Sequence, residues 1–77
     1  MSIHEEQVSS LIQRIKSIRE EEGVSQRQLA KLTGLSHSAI SEMESGKTSP
    51  TLHFLLVIAE ALEIELGALL TESAQKE

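Results

Sequence analysis

Apolar residues in this chain recur at three- and four-residue steps, the spacing that lines one face of an α-helix, and no run of alternating β-branched or aromatic residues marks a strand. Val8, Leu11, Ile12, Ile15 and Ile18 form the first stripe; Gly23 predicts its end near Glu22, because glycine accepts the left-handed conformation that closes a helix. Ser25, with Gln28 three residues later, is a capping-box signature, and Leu29, Ala30 and Leu32 follow on one side until Gly34 stops the run. The spacing predicts a second helix of about seven or eight residues. Ser36 is placed to cap a third, in which Ala39, Ile40 and Met43 look inward while His37, Ser38, Ser41 and Glu42 look outward. The stretch Ser45-Gly46-Lys47-Thr48-Ser49-Pro50 is turn-forming by composition. Thr51 then caps a helix carrying Leu52, Leu55, Ile58, Ala59 and Leu62, and Ile64 to Leu70 reads as a fifth, with Gly67 as a local weakness.

Five short helices in 77 residues leave connections of only a few residues, so the expectation is one compact all-α domain over residues 1–77. A core that small gives modest stability, which favours oligomerisation. With no cysteine, neither a disulfide nor a thiolate metal site can supplement packing. The longest purely apolar run, Phe54 to Ala59, is six residues, far short of a bilayer span, and the first residues lack a basic-then-apolar signal pattern. A cytoplasmic protein with no membrane partner is expected.

The net charge of −5 argues at first against a polyanionic partner, since affinity for nucleic acid rests largely on phosphate neutralisation. Its distribution reverses that reading. Residues 1–24 carry −2, residues 25–49 carry +1 from Arg27, Lys31 and Lys47 against Glu42 and Glu44, and the remainder from Pro50 carries −4. Only the middle third is positive, so a nucleic-acid face belongs there, with the acidic C-terminal third turned away.

Two short helices joined by a glycine-containing turn, the second with small polar residues outward, are the parts of a DNA-reading helix-turn-helix over about residues 25–44. Small Ala30 lets the helices cross closely, and Ile40 and Met43 anchor the second so that its other face can enter the major groove. The series Ile18-Arg19, Gly23-Val24-Ser25-Gln26, Leu29-Ala30, Gly34-Leu35-Ser36, Ile40-Ser41, Glu44-Ser45-Gly46, Pro50, Leu55, Ile58-Ala59 and Ala61-Leu62 resembles the phage repressor/Cro-type (Xre-type) helix-turn-helix family over roughly residues 11–70. The resemblance implies a five-helix, lambda-repressor-like fold and DNA binding. Carried over position by position, it implies that Gln26 meets a backbone phosphate at the start of the second helix, with Arg27 beside it. It implies that His37, Ser38 and Glu42 meet base edges with Ser36 and Ser41 flanking them, and that Lys47 and Thr48 lie in a loop that touches phosphate. Arg19 and Glu44 match a pair that forms an internal salt bridge. Glu42 departs from a simple basic reading: a carboxylate repels phosphate and accepts from a cytosine amino group, which points to a C·G pair in the half-site.

His4 and His53 have no such context and read as surface residues. Three scattered histidines with no cysteine and no aspartate exclude an obvious metal site or acid-base centre, so no enzyme, cofactor, metal or small-molecule ligand is expected. Phe54, Leu56 and Val57 lie beyond the inward stripe of the fourth helix, and with Ile64, Leu66, Leu69 and Leu70 they exceed what a monomer of this size can hide. A homodimer through Phe54, Val57, Ile64, Leu66, Leu69 and Leu70 is expected, its recognition helices about 34 Å apart on a roughly palindromic site. The resulting expectation is a transcriptional regulator, in the first place a repressor or autoregulator, with no separate sensing domain. Two rival readings are an antitoxin-type protein-interaction module that represses its own promoter, and a relative that keeps the fold without binding DNA, favoured by the acidic charge.

Overall fold

The computed structural model describes residues 3–74 and consists of α1 (Ile3–Glu21), α2 (Gln26–Thr33), α3 (His37–Glu44), α4 (Leu52–Ala61) and α5 (Leu66–Ala74), with no strand among the described residues. The first two and last three residues of the expected 1–77 domain lie outside them.

Local chemistry accounts for the helix ends. Ser25 caps α2 through a complete capping box: its hydroxyl accepts from Gln28 N at 3.0 Å, and Gln28 Oε1 accepts from Ser25 N at 2.8 Å. Ser36 and Thr51 accept from the third residue of α3 and α4, Ala39 N at 3.0 Å and Phe54 N at 3.1 Å. Gly34 ends α2 at φ 75°, its N–H donating to Ala30 O. After α4 the left-handed position is filled by Glu63, at φ 59°, the one described non-glycine residue with positive φ. There Glu63 N donates to Glu60 O and Ile64 N to Ala59 O, the paired bonds of a Schellman turn.

That turn moves α5 from its expected place. Ile64 is occupied in closing α4, so α5 begins at Leu66 and runs through Ala74 instead of ending at Leu70. At the other end, α1 starts earlier than its apolar stripe, with Glu5 and Glu6 in the first turn, where negative charge offsets the helix dipole.

All five helices send side chains to one centre. Ile15 from α1, Leu29 from α2, Ile40 and Met43 from α3, Ile58 from α4 and Leu69 from α5 are fully enclosed, surrounded by Leu11, Ile12, Leu55 and Leu62. Each such side chain stabilises by about 1.5–3 kcal/mol. α1 packs on α3 and α5, α2 on α3 and α4, and α4 on α5. Three expectations change. Leu69, expected at a dimer surface, is 1% exposed and lies in the monomer's core, where α5 packs on α1 and α4. Leu32 falls outside the buried arc of α2, which runs through Gln26, Leu29, Ala30 and Thr33, and is 62% exposed. Leu52, at the edge of its stripe in the first turn of α4, is exposed as well.

Candidate nucleic-acid interface

α2, the turn at Gly34-Leu35 and α3 form a rigid corner. Besides the Gly34 cap, Thr33 braces the turn: its hydroxyl donates to Leu29 O at 2.7 Å and accepts from Leu35 N at 3.2 Å. Ile40 and Met43 are buried beneath α3. On the opposite side His37, Ser38 and Glu42 are exposed, while Ser41 is half-buried. Ser36 is exposed at the head of the helix; its oxygen serves the cap, leaving its hydroxyl hydrogen to donate elsewhere. Arg27 on α2 and Lys47 and Thr48 in the loop after α3 are exposed too. The loop is held by Gly46 N to Met43 O and Lys47 N to Glu42 O, which ties it to the end of α3. The corner thus carries exposed hydrogen-bonding side chains on α3 and exposed cations on α2 and the loop.

Behind the corner, Arg19 and Glu44 make a two-pronged ion pair, with Nε to Oε2 at 2.7 Å and Nη2 to Oε1 at 2.9 Å. A third donor of Arg19, Nη1, reaches Val24 O at 2.7 Å, and Glu20 stands 3.9 Å from Nη2 on the solvent side. Arg19 and Glu44 are 7% and 6% exposed, so the pair is a buried clamp between α1 and α3. Burial pushes the Glu44 carboxyl up. Hydrogen bonds from Arg19 and Gln26, with the charges of Arg19 and Lys16, outweigh it and hold the group below the usual carboxylate range. The hydrogen bond to Glu44 likewise raises Arg19 against the opposing effect of burial.

Gln26 does not simply face outward. It is half-buried, and its Nε2 donates to Glu44 Oε1 at 3.0 Å. Nothing in the spacing of the sequence signalled that contact, which depends on how α2 crosses α3. Thr33 was equally silent, although a threonine just before a helix-ending glycine can reach back to the carbonyl four residues earlier.

On α4, α5 and the connection between them, Phe54, Val57, Ile64 and Leu66 are half-buried, and Leu56 and Leu70 are 49% and 42% exposed. His53, Leu56, Val57, Glu60, Ile64 and Leu66 line an open groove between α4 and α5. His4 and His53 are exposed. Among the described residues no group of three or more His, Cys, Asp or Glu side chains is placed to hold a metal ion, and no helix is long and apolar enough to cross a membrane.

Comparison with known proteins places this arrangement. The control protein C.SmaI of Serratia marcescens is 33% identical over 66 residues, covering 86% of this chain and 79% of that protein. The transcriptional regulator PuuR of Escherichia coli is 39% identical over 59 residues, covering 77% of this chain but 32% of its own length, so the chain spans about a third of that relative. Among solved structures, the restriction-modification controller protein C.AhdI from Aeromonas hydrophila superposes with a TM-score of 0.75 at 35% identity, over 80% of this chain and 94% of that one. A helix-turn-helix family model (HTH_3) matches residues 15–69. With the family model spanning most of the chain and both helices of the corner, the chain belongs to the helix-turn-helix family.

Proposed function

We propose that the chain is a sequence-specific, double-stranded-DNA-binding transcriptional regulator, in the first place a repressor or autoregulator, that acts in the cytoplasm as a homodimer and not as an enzyme. The observation that carries this reading is the two-sidedness of α3: Ile40 and Met43 are enclosed, and His37, Ser38 and Glu42 stand clear of the protein's own chain. A short helix fixed from behind with polar side chains in front suits the major groove, where base edges present donors and acceptors. Ser36 and Ser41 flank that front, while Gln26, Arg27, Lys47 and Thr48 supply phosphate contacts that set register. The named relatives include a control protein and a regulator, which supports gene control.

The homodimer is favoured by the apolar face at the other end. Leu56, Val57, Ile64 and Leu66 line one groove, and with the exposed Leu70 and half-buried Phe54 they leave apolar surface that a second copy can cover by two-fold symmetry. Leu56 joins the residues expected there and Leu69 leaves them.

Selection of bound sequences from random duplex DNA tests the reading as a whole. Enrichment of a roughly palindromic site with half-sites one helical turn apart is expected; no enrichment over input ends it. Repeating the selection with Glu42→Gln should change the preferred base at one half-site position, where a carboxylate accepting from cytosine has become an amide suited to adenine.

A further inference from the structure

We propose that Glu44 is a positioning residue for the phosphate contact at the start of α2, acting through the side-chain amide of Gln26; the inference rests on the DNA-binding reading above. A glutamine offers a phosphate either N–H groups, which attract it, or a carbonyl oxygen, which repels it. Left alone at an exposed helix start, the carboxamide samples both. Glu44 removes that freedom. An ionised carboxylate can only accept, so the 3.0 Å contact between Glu44 Oε1 and Gln26 Nε2 exists only with the nitrogen inward. One amide hydrogen then points at Glu44. The other diverges from it by about 120°, as in any planar NH₂ group, and remains available to an outside acceptor.

The acceptor that does this is itself immobile. Both Glu44 oxygens are held by Arg19, at 2.7 and 2.9 Å, and Arg19 is tied to Val24 O at 2.7 Å. Val24 lies two residues before Gln26, so the bonds close a ring through the connection between α1 and α2. The orientation of Gln26 is therefore set by three helices at once. Glu44 lies at the last residue of α3 and Gln26 at the first of α2, which couples phosphate recognition to the seating of the recognition helix.

The test is a double-mutant cycle on affinity for the selected duplex, with wild type, Glu44→Asp, Gln26→Ala and the double variant. Aspartate keeps the charge facing Arg19 but is too short to hold the amide. Glu44→Asp is expected to weaken binding about fivefold when Gln26 is present and to change it little in the Gln26→Ala background. Equal losses in both backgrounds would show a structural role only and overturn the proposal. Where Glu44→Asp does not fold at the assay temperature, nuclear magnetic resonance of the wild type decides. The Gln26 amide proton facing Glu44 should exchange slowly with solvent, and the other should shift on addition of duplex. Fast exchange of both, or no shift at saturation, overturns it. Wild-type protein that binds no selected duplex brings down the DNA-binding reading, and this inference with it; binding without coupling brings down this inference alone.

Discussion

The α2–α3 corner and the α4–α5 corner solve the same problem, turning one short helix onto the next, with different materials. At the first corner the helix ends and the turn follow local preference: a capping box opens α2, glycine takes the left-handed position at φ 75°, a threonine hydroxyl braces the turn and a serine caps α3. At the second, a glutamate sits at φ 59°, and α5 opens after Glu65, a residue type that seldom caps. Large apolar side chains meet water at both corners, Leu32 on α2 and Leu56 and Leu70 on α4 and α5. Agreement of local and global preferences marks a unit that holds its shape alone. Disagreement leaves more for an outside contact to stabilise, so the proposed second subunit is expected to add more at the α4–α5 corner than at the α2–α3 corner.

The largest expected effect tests the clamp behind the rigid corner. Glu44→Ala leaves the Arg19 guanidinium buried without its partner and is expected to cost about 3–5 kcal/mol, a large share of the roughly 5–15 kcal/mol that holds a domain together. A lowered midpoint in urea checks it; an unchanged midpoint would mean the corner does not depend on the clamp. The same carboxylate sets an acid limit. Its pKa is lowered in the folded state, so its contribution is fully present above the unfolded value of about 4.3 and fades as pH falls through the folded one. Melting temperature should therefore drop below about pH 4, and in Glu44→Gln that part of the acid slope should flatten.

Next in size is the corner proposed to meet a second copy. Leu56→Glu removes one of its exposed leucines and is expected to weaken self-association by about 1.5–3 kcal/mol, tenfold or more in the dissociation constant, read by sedimentation equilibrium. The fold, read by circular dichroism, should stay intact. A monomeric wild type at micromolar concentration would contradict the comparison directly.

The smallest effects come from exchanging the turn chemistry, and their signs should be opposite. Gly34→Ala meets no atom within 4 Å of the new Cβ, so its cost of about 1–2 kcal/mol is backbone strain alone. Glu63→Gly relieves the same strain and should stabilise by about 1 kcal/mol. Thermal melts of both variants at one protein concentration settle the point. If both destabilise, Glu63 contributes contacts that outweigh its conformation.

The recognition corner was the more legible of the two in the sequence, for a physical reason. Ser25, Gln28, Gly34 and Ser36 act within four residues of themselves, so their pattern along the chain already contains their structure. The start of α5 was not legible, since no rule of spacing places a glutamate in a left-handed turn; packing of α5 on α1 and α4 decides it, and Leu69 turns inward as a result. The second contact of Gln26 was not legible for the same cause. Its neighbour Glu44 is eighteen residues away, and only the crossing of two helices makes them meet. Exposed Leu32 shows the limit of reading a stripe on a helix of eight residues, where one position off the arc puts a leucine in water.

The uneven spread of charge bears on how the molecule travels. Arg27, Lys31 and Lys47 are exposed with Glu42 along α2, α3 and the loop after it, and Glu60, Glu63 and Glu65 are exposed along α4 and the connection to α5. If the chain binds DNA as proposed, such a spread of charge would turn the molecule in the field of the polyanion before contact, with its cations leading. With a net charge of the same sign as the duplex, approach in other attitudes would be discouraged, which favours encounters in the productive one.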